Sequence, residues 1–342
     1  MSKIVVKIFR ENLVENIYRG DITIVDSEGR PAYSLGDIEK MTYWRSAAKP
    51  IQVLPVIYSG AYKKYNFTDQ ELAVLSASHN GEEEHIQLVN SVLAKINLTE
   101  KDLQCGICLP AHKPTARNLQ KGGIPVGPIY NPCSGKHAAQ LTLCQYYGWN
   151  IMDYYCIEHP VQKMILDIIS RLAKYPKDKI YLGIDDCGVP VFALPIANMA
   201  KAYASLSNWE SLPENYRGSA EKIFSSMTEN PYIVGGTDRF ETDLKRISKD
   251  NLLAKSGADG VFCIGIRNEQ NRQNLPGMGI TIKMESGNMK FLPLVILRIL
   301  EQLKILSKEK INSLKKYLPA DIKNYRNEKV GCFVSDFKLN KI

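Results

Sequence analysis

The apolar positions run first in short β-rich stretches, then at helical spacing, then in both, and these changes divide the chain. Residues 3–35 read as strands. Ile4-Val5-Val6-Lys7-Ile8-Phe9 is β-rich, and Ile22-Thr23-Ile24-Val25 runs into the turn signal Asp26-Ser27-Glu28-Gly29 before Pro31-Ala32-Tyr33. The stretch 46–175 reads as mostly helical. Thr68-Asp69-Gln70-Glu71 has the form of a capping box. Helical spacing continues through Ile86, Val89 and Val92-Leu93, then through Ala138, Leu141 and Tyr146 to a stop at Gly148, and Pro160 suits the first turn of another helix. From residue 179 the pattern changes back. Lys179–Ile184 reads as a buried strand ending in Asp185-Asp186-Cys187-Gly188. Helices are expected near 194–206, 217–228 and 238–247, strands at Leu252–Lys255, Val261–Ile266 and Gly279–Met284, and a closing helix at Leu292–Leu306. Strands at both ends with helices between predict an α+β fold. Its sheet domain is expected to combine 1–45 with 179–342, and its mainly helical domain to span 46–178.

Composition narrows the class. The 342 residues are 44% hydrophobic and 23% charged, ordinary values for a globular chain, which excludes disorder and fibrous repeats. The apolar runs at Val189–Ala200 and Phe291–Leu300 are shorter than the ~18 residues of a membrane span. Residues Met1–Glu11 carry no signal-peptide pattern, so a cytoplasmic location is expected. The net charge of +8 comes largely from a lysine-rich tail that reads as a solvated face, with neither interleaved aromatics nor a nucleic-acid module. The eight cysteines are scattered, so free thiols are expected rather than a disulfide framework.

Three short motifs carry candidate chemistry. In Ser46-Ala47-Ala48-Lys49 the i, i+3 spacing puts a hydroxyl and an amine on one face if Ser46 opens a helix. Ser-x-x-Lys also occurs at Ser219, Ser307, Ser313 and Ser335, so the motif alone decides nothing. Its company does: Ser78-His79-Asn80 and Lys255-Ser256-Gly257 follow in the order used by penicillin-recognising serine enzymes. A free lysine has a pKa near ~10.4, and lowering it to ~7 requires burial or a second ammonium nearby. Lys49 and Lys255 are expected to supply that crowding to each other, with Ser46 favoured over Ser78 as the nucleophile. Were the substrate an amino acid, its carboxylate would need a cation, for which Arg45, Arg10 or a charged lysine are candidates, and its amine a carboxylate, for which Glu15 and Asp185 are; Asn80 is a further candidate contact.

A second cluster is Cys133-Ser134-Gly135-Lys136-His137 with Asp185-Asp186-Cys187. Two thiolates with one or two nitrogen or oxygen donors suit tetrahedral zinc, and two buried cysteines acting as small hydrophobes is the other reading. Cys105-Gly106-Ile107-Cys108 lacks a partner pair and reads as structural.

These runs, with Arg10, Val14-Glu15 and Asp259-Gly260-Val261-Phe262, resemble the rhizobial-type (class 3) L-asparaginases of the asparaginase II family, from Arg10 to about Gly331. The resemblance implies a β-lactamase/glutaminase-like fold, a homodimer, and hydrolysis of the side-chain amide of L-asparagine to aspartate and ammonia. It also implies two Ser–Lys pairs, Ser46 with Lys49 and Ser78 with Lys255, and a zinc site at Cys133, Lys136 and Cys187 with Asp185 close by. Tyr18-Arg19-Gly20, Cys108 and Asn131-Pro132 depart from the pattern. The competing functions are a glutaminase, a penicillin-recognising acyl-transferase or β-lactamase, and a non-catalytic zinc-binding protein. Discrimination of asparagine from glutamine turns on one methylene, worth only ~1–3 kcal/mol.

Overall fold

The computed structural model describes residues 1–249, 251–267 and 277–342. Its strands are β1 (Lys3–Arg10), β2 (Leu13–Asp26), β3 (Pro31–Leu35), β4 (Met41–Tyr43), β5 (Tyr181–Ile184), β6 (Pro190–Pro195), β7 (Leu252–Gly257), β8 (Val261–Ile266), β9 (Met278–Met284), β10 (Ile322–Lys323), β11 (Lys329–Val334) and β12 (Asn340–Lys341). Nine of them form one sheet with the central order β10-β11-β1-β2-β9-β8-β7, in which β3 joins β2 and β12. Every pairing in it is antiparallel. Strands from both ends of the chain therefore lie in this one sheet. The α+β class expected from the sequence is the one observed.

The helices are α1 (Lys49–Tyr58), α2 (Ala61–Lys64), α3 (Asp69–Leu75), α4 (Glu83–Lys95), α5 (Lys113–Lys121), α6 (Ser134–Tyr147), α7 (Pro160–Ala173), α8 (Ile196–Ser207), α9 (Glu214–Glu229), α10 (Pro231–Gly235), α11 (Phe240–Ser248), α12 (Leu292–Gln302) and α13 (Lys308–Ser313). Several boundaries follow from local chemistry. Thr68 and Glu71 form the expected capping box at α3. Pro160 begins α7, and Gly148, at φ 70°, ends α6 in the left-handed region that favours glycine.

The sheet is covered on both faces. On one, Val6, Ile22, Ile280 and Ile282 pack with Val295, Ile296 and Ile299 of α12. On the other, α8 approaches so closely that a Cβ on Gly279 would stand 1.8 Å from the Ala200 carbonyl oxygen. The larger buried cluster joins Ile51, Val53 and Leu54 of α1 to Leu141, Ile165 and Ile169, and extends through Met199, Tyr203, Phe224 and Met227.

One strand differs from its expected environment. Residues 181–184 do form a strand, but it is the edge of a separate three-stranded sheet, β4-β6-β5, and Tyr181 and Ile184 are exposed. A run such as Tyr-Leu-Gly-Ile carries no mark that separates an edge from an interior, and within this small sheet it is β6 whose residues are all buried. Among the described residues no helix is long and apolar enough to cross a membrane. All eight cysteines are free.

Candidate active site

Three elements far apart in sequence deliver the central side chains. The fully buried Trp44 ends β4's approach, giving its backbone N–H to Phe192 O at 2.8 Å and its ring N–H to Cys263 Sγ at 3.3 Å. Arg45 follows at φ +55°, a backbone position uncommon for a residue with a side chain. Residues Arg45–Ala48 then form a 3-10 turn leading into α1, so Ser46 lies in that turn rather than at the start of an α-helix. Gly257 lets the end of β7 lie against this turn, because a Cβ there would come 2.8 Å from Trp44 O and 3.3 Å from Ala47 N.

Ser78 sits in the loop between α3 and α4, and three contacts fix it. Its N–H donates to Val234 O at 3.1 Å. The neighbouring His79 accepts the Gly81 N–H on Nδ1, which leaves its proton on Nε2 to donate to Ser134 Oγ at 2.8 Å. Burial, reinforced by His85 and Lys49, holds this imidazole well below its ordinary pKa, so it is a neutral brace. Gly135 completes the joint, since a Cβ there would lie 2.0 Å from Val74 O. Only a glycine lets the start of α6 press against the end of α3.

At the centre, Ser78 Oγ lies between two buried amines, 3.0 Å from Lys49 Nζ and 2.9 Å from Lys255 Nζ. Lys49 also donates to Ala77 O at 2.6 Å and Pro132 O at 2.9 Å, whereas Lys255 has one further partner, Ser256 O at 2.9 Å. Burial lowers the pKa of both lysines. For Lys255, Glu241 opposes that effect while Lys49, Arg239 and Lys245 add to it, and the amine is brought down to about 7. For Lys49, Cys133 and Cys187 pull back toward the charged form while Lys136 reinforces burial. Two ammonium groups sharing one hydroxyl repel each other. Lys49, with three acceptors and a thiolate beside it, carries the charge more readily. Lys255 is the better proton acceptor.

Ser46 is half-buried. Among the described residues no hydrogen bond joins its hydroxyl to Lys49; the amine expected to serve Ser46 through i, i+3 spacing turns to Ser78 instead. The Lys49 amine is held instead by acceptors outside this turn, Ala77 O, Ser78 Oγ and Pro132 O.

The cysteine cluster also converges. Lys136 Nζ lies 3.0 Å from Cys187 Sγ and 3.3 Å from Asp185 Oδ2, and Cys187 Sγ lies 3.8 Å from the same carboxylate oxygen. Cys133 accepts a hydrogen bond from Cys187, which outweighs burial; Lys49 and Lys136 also lower its pKa, and the thiol sits well below its ordinary range. Cys187 moves up, because it donates to that thiolate and is itself buried. Burial works against a charged Lys136, but Cys133, Cys187 and Asp185 prevail and hold its pKa above the usual value. Among the described residues no three His, Cys, Asp or Glu side chains are arranged to hold a metal by themselves. With Lys136 counted as a donor once its amine has lost its proton, Cys133, Lys136 and Cys187 offer two sulfurs and one nitrogen. That chemistry fits zinc.

Arg45 is shared by three carboxylates, with Nε 3.1 Å from Asp185, Nη2 2.5 Å from Asp186 and Nη1 2.8 Å from Asp259. Asp186 and Asp259 are largely exposed, so the rim beside Ser46 is acidic. Asn80 is buried and occupied, giving Nδ2 to Thr237 O at 3.0 Å and accepting Arg239 Nη1 at 3.4 Å. Arg10 and Glu15 pair with each other at 2.8 Å, both substantially exposed. They belong to the far end of the β1–β2 hairpin. Gly20 is level with Met284, and Leu13, opposite Arg10, lies seven residues further along β2. At ~3.3 Å per residue this is roughly 20 Å past the last residue of β9. Within the chain neither residue joins the Ser78 cluster. The sequence gives no sign of Arg239, Glu241 and Lys245 as site residues, because the charged residues at and within α11 surround one apolar stripe, Phe240, Leu244 and Ile247, and none is marked as buried.

The α+β fold thus sets a serine hydroxyl between two buried lysines, and comparison with known proteins places the chain in a family. The L-asparaginase II family model matches residues 6–334. The chain belongs to that family of L-asparaginase-type amidohydrolases. Similar solved structures include a Bacillus subtilis glutaminase in covalent complex with 5-oxo-L-norleucine, at 13% identity and TM-score 0.41, covering 86% of this chain and 91% of that one. Another is a probable glutaminase from Bacillus subtilis complexed with 6-diazo-5-oxo-L-norleucine, at 12% identity and TM-score 0.39, covering 84% of each chain. No curated protein sequence matches.

Proposed function

We propose that this chain hydrolyses the side-chain amide of L-asparagine to L-aspartate and ammonia at a serine–lysine centre. The observation that carries the reading is the hydroxyl of Ser78 bonded to both Lys49 and Lys255. Lys255, neutral in about half of the molecules near pH 7, takes the Ser78 proton as the oxygen attacks the amide carbon. Lys49 remains an ammonium, orients the hydroxyl by donating to it, and stabilises the alkoxide as it forms. The protonated Lys255 then gives its proton to the leaving nitrogen. Ammonia departs, and water attacks the acyl-enzyme with the same amine as base. The acidic rim of Asp186 and Asp259 suits the substrate's α-ammonium group.

A second assignment within the same function makes Ser46 the acylated oxygen and Ser78 the relay that passes its proton to Lys255. Its support is the position of Ser46 in the turn against the end of β7. Zinc, in this proposal, is held by Cys133, Lys136 and Cys187, with Asp185 as neighbour. When bound it would supply positive charge next to the reaction centre and orient polar groups of the substrate.

A diazoketone analogue of asparagine, followed by peptide mass mapping, tests the reading. A covalent adduct on the Ser78 peptide, with ammonia release from asparagine lost in Ser78→Ala, supports it. An adduct on Ser46 transfers the acyl group to that residue, and wild-type turnover in Ser78→Ala refutes the centre.

A further inference from the structure

Behind Lys255 lies a buried charged group that the mechanism above does not use. Glu241, on the first turn of α11, is 2% exposed. Its Oε2 accepts the N–H of Ser256, the residue after Lys255, at 2.7 Å. Its Oε1 lies 3.3 Å from Arg239 Nη2. The other guanidinium nitrogen of Arg239 reaches Asn80 Oδ1, two residues from Ser78. A continuous tie therefore runs from the loop that carries Ser78, through Arg239 and Glu241, to the strand that carries Lys255. One helical turn beyond Glu241 sits Lys245, 1% exposed, whose Nζ has no hydrogen-bond partner.

We propose that Glu241 is a positioning residue: with Arg239 it fixes the separation of Ser78 and Lys255, and with Lys245 it balances the charge of Lys255. This rests on the Ser78–Lys255 reading and extends it. The charge count gives the physical reason. One carboxylate faces three cations: Lys245 and Lys255, both buried, and Arg239, whose side chain is 35% exposed. The guanidinium does not give up its proton, so Glu241 is already matched and the two lysines compete for what remains. The other groups that act on Lys255 are Lys49 from α1, the Ser78 hydroxyl from its loop, and the Cys263 thiol from β8. Consistent with this arrangement, Glu241 is held at about 2 despite burial, which alone would raise it, and burial brings Lys245 down to about 8.

Three variants separate holding from charge. Glu241→Gln keeps the acceptor for Ser256 and removes the anion that favours charged Lys255, so the acidic limb of the kcat/KM profile moves to lower pH. Lys245→Met removes a like charge, so the limb moves to higher pH. It also raises the melting temperature, because an unpartnered buried amine is lost. Glu241→Asp keeps the charge but shortens the reach, so kcat falls severalfold while the limb stays in place. Lysine 13C,15N NMR, with Lys255 assigned by Lys255→Met, reads the same titration without turnover. Opposite shifts of Lys255 in the Gln and Met variants support the proposal. Unmoved titration in both, or shifts of the same sign, overturn it. Should Ser78→Ala release ammonia normally, the hydrolytic reading fails while the NMR titration still judges this one.

Discussion

Replacing Lys255 with methionine removes the proposed base while keeping nearly the same volume in a fully buried site. The structure fixes what is lost. An ordinary lysine amine, at 10.5, is neutral in about one molecule in 3,000 at pH 7. Brought down to about 7, it is neutral in half of them, a gain of about 1,500-fold. Loss of a positioned general base costs about 10²–10⁴ in rate, so ammonia release from asparagine is expected to fall into that range. Stability gives an independent readout. Between about pH 7 and 10.5 the unfolded chain binds more protons at this lysine than the folded chain does, so native stability rises with pH across that window. From pH 7 to 9 this contribution is about 2 kcal/mol, and Lys255→Met abolishes it. Urea denaturation of both proteins at the two pH values measures the difference. A variant with more than a tenth of the wild-type rate, or a stability difference that does not change with pH, would refute the reasoning.

Two further outcomes follow from packing and from the thiol cluster. Gly135→Ala puts a methyl group 2.0 Å from Val74 O, so stability in denaturant is expected to drop by about 3 kcal/mol or more, with activity falling as the Ser78 loop is displaced. An unchanged unfolding midpoint would mean that the α3–α6 joint is not as tight as described. Added zinc is expected to bind one ion per chain and raise the melting temperature, and Cys133→Ala is expected to do neither. Equal metal content in both proteins by elemental analysis would remove Cys133 from the ligand set.

Much of this was legible along the chain because the signals were local or repeated. The capping box at Thr68 and Glu71, the stop at Gly148 and the strand Val261–Ile266 each follow from a few adjacent residues. The α+β class was legible because β-rich runs flank a helical middle. Ser78 and Lys255 were legible as members of ordered motifs and, through the family resemblance, as a pair, but the contact of Lys49 with Ser78 was not. That contact depends on where the loop after α3 lies against α1, which Ser-Ala-Ala-Lys does not announce. Glu241 and Lys245 are two charged residues in a highly charged helix, and only packing against β7 buries them. Arg10 and Glu15 read as substrate contacts from their motif, yet strand register carries them to the end of a hairpin.

The most direct measurement is the pH dependence of kcat/KM for ammonia release from L-asparagine, in the wild-type protein and in Ser78→Ala. The account predicts an acidic limb near pH 7 in the wild type, set by Lys255, and no measurable turnover in the variant. A rate that is flat from acid to alkaline pH, or a Ser78→Ala protein with the wild-type profile, would contradict it.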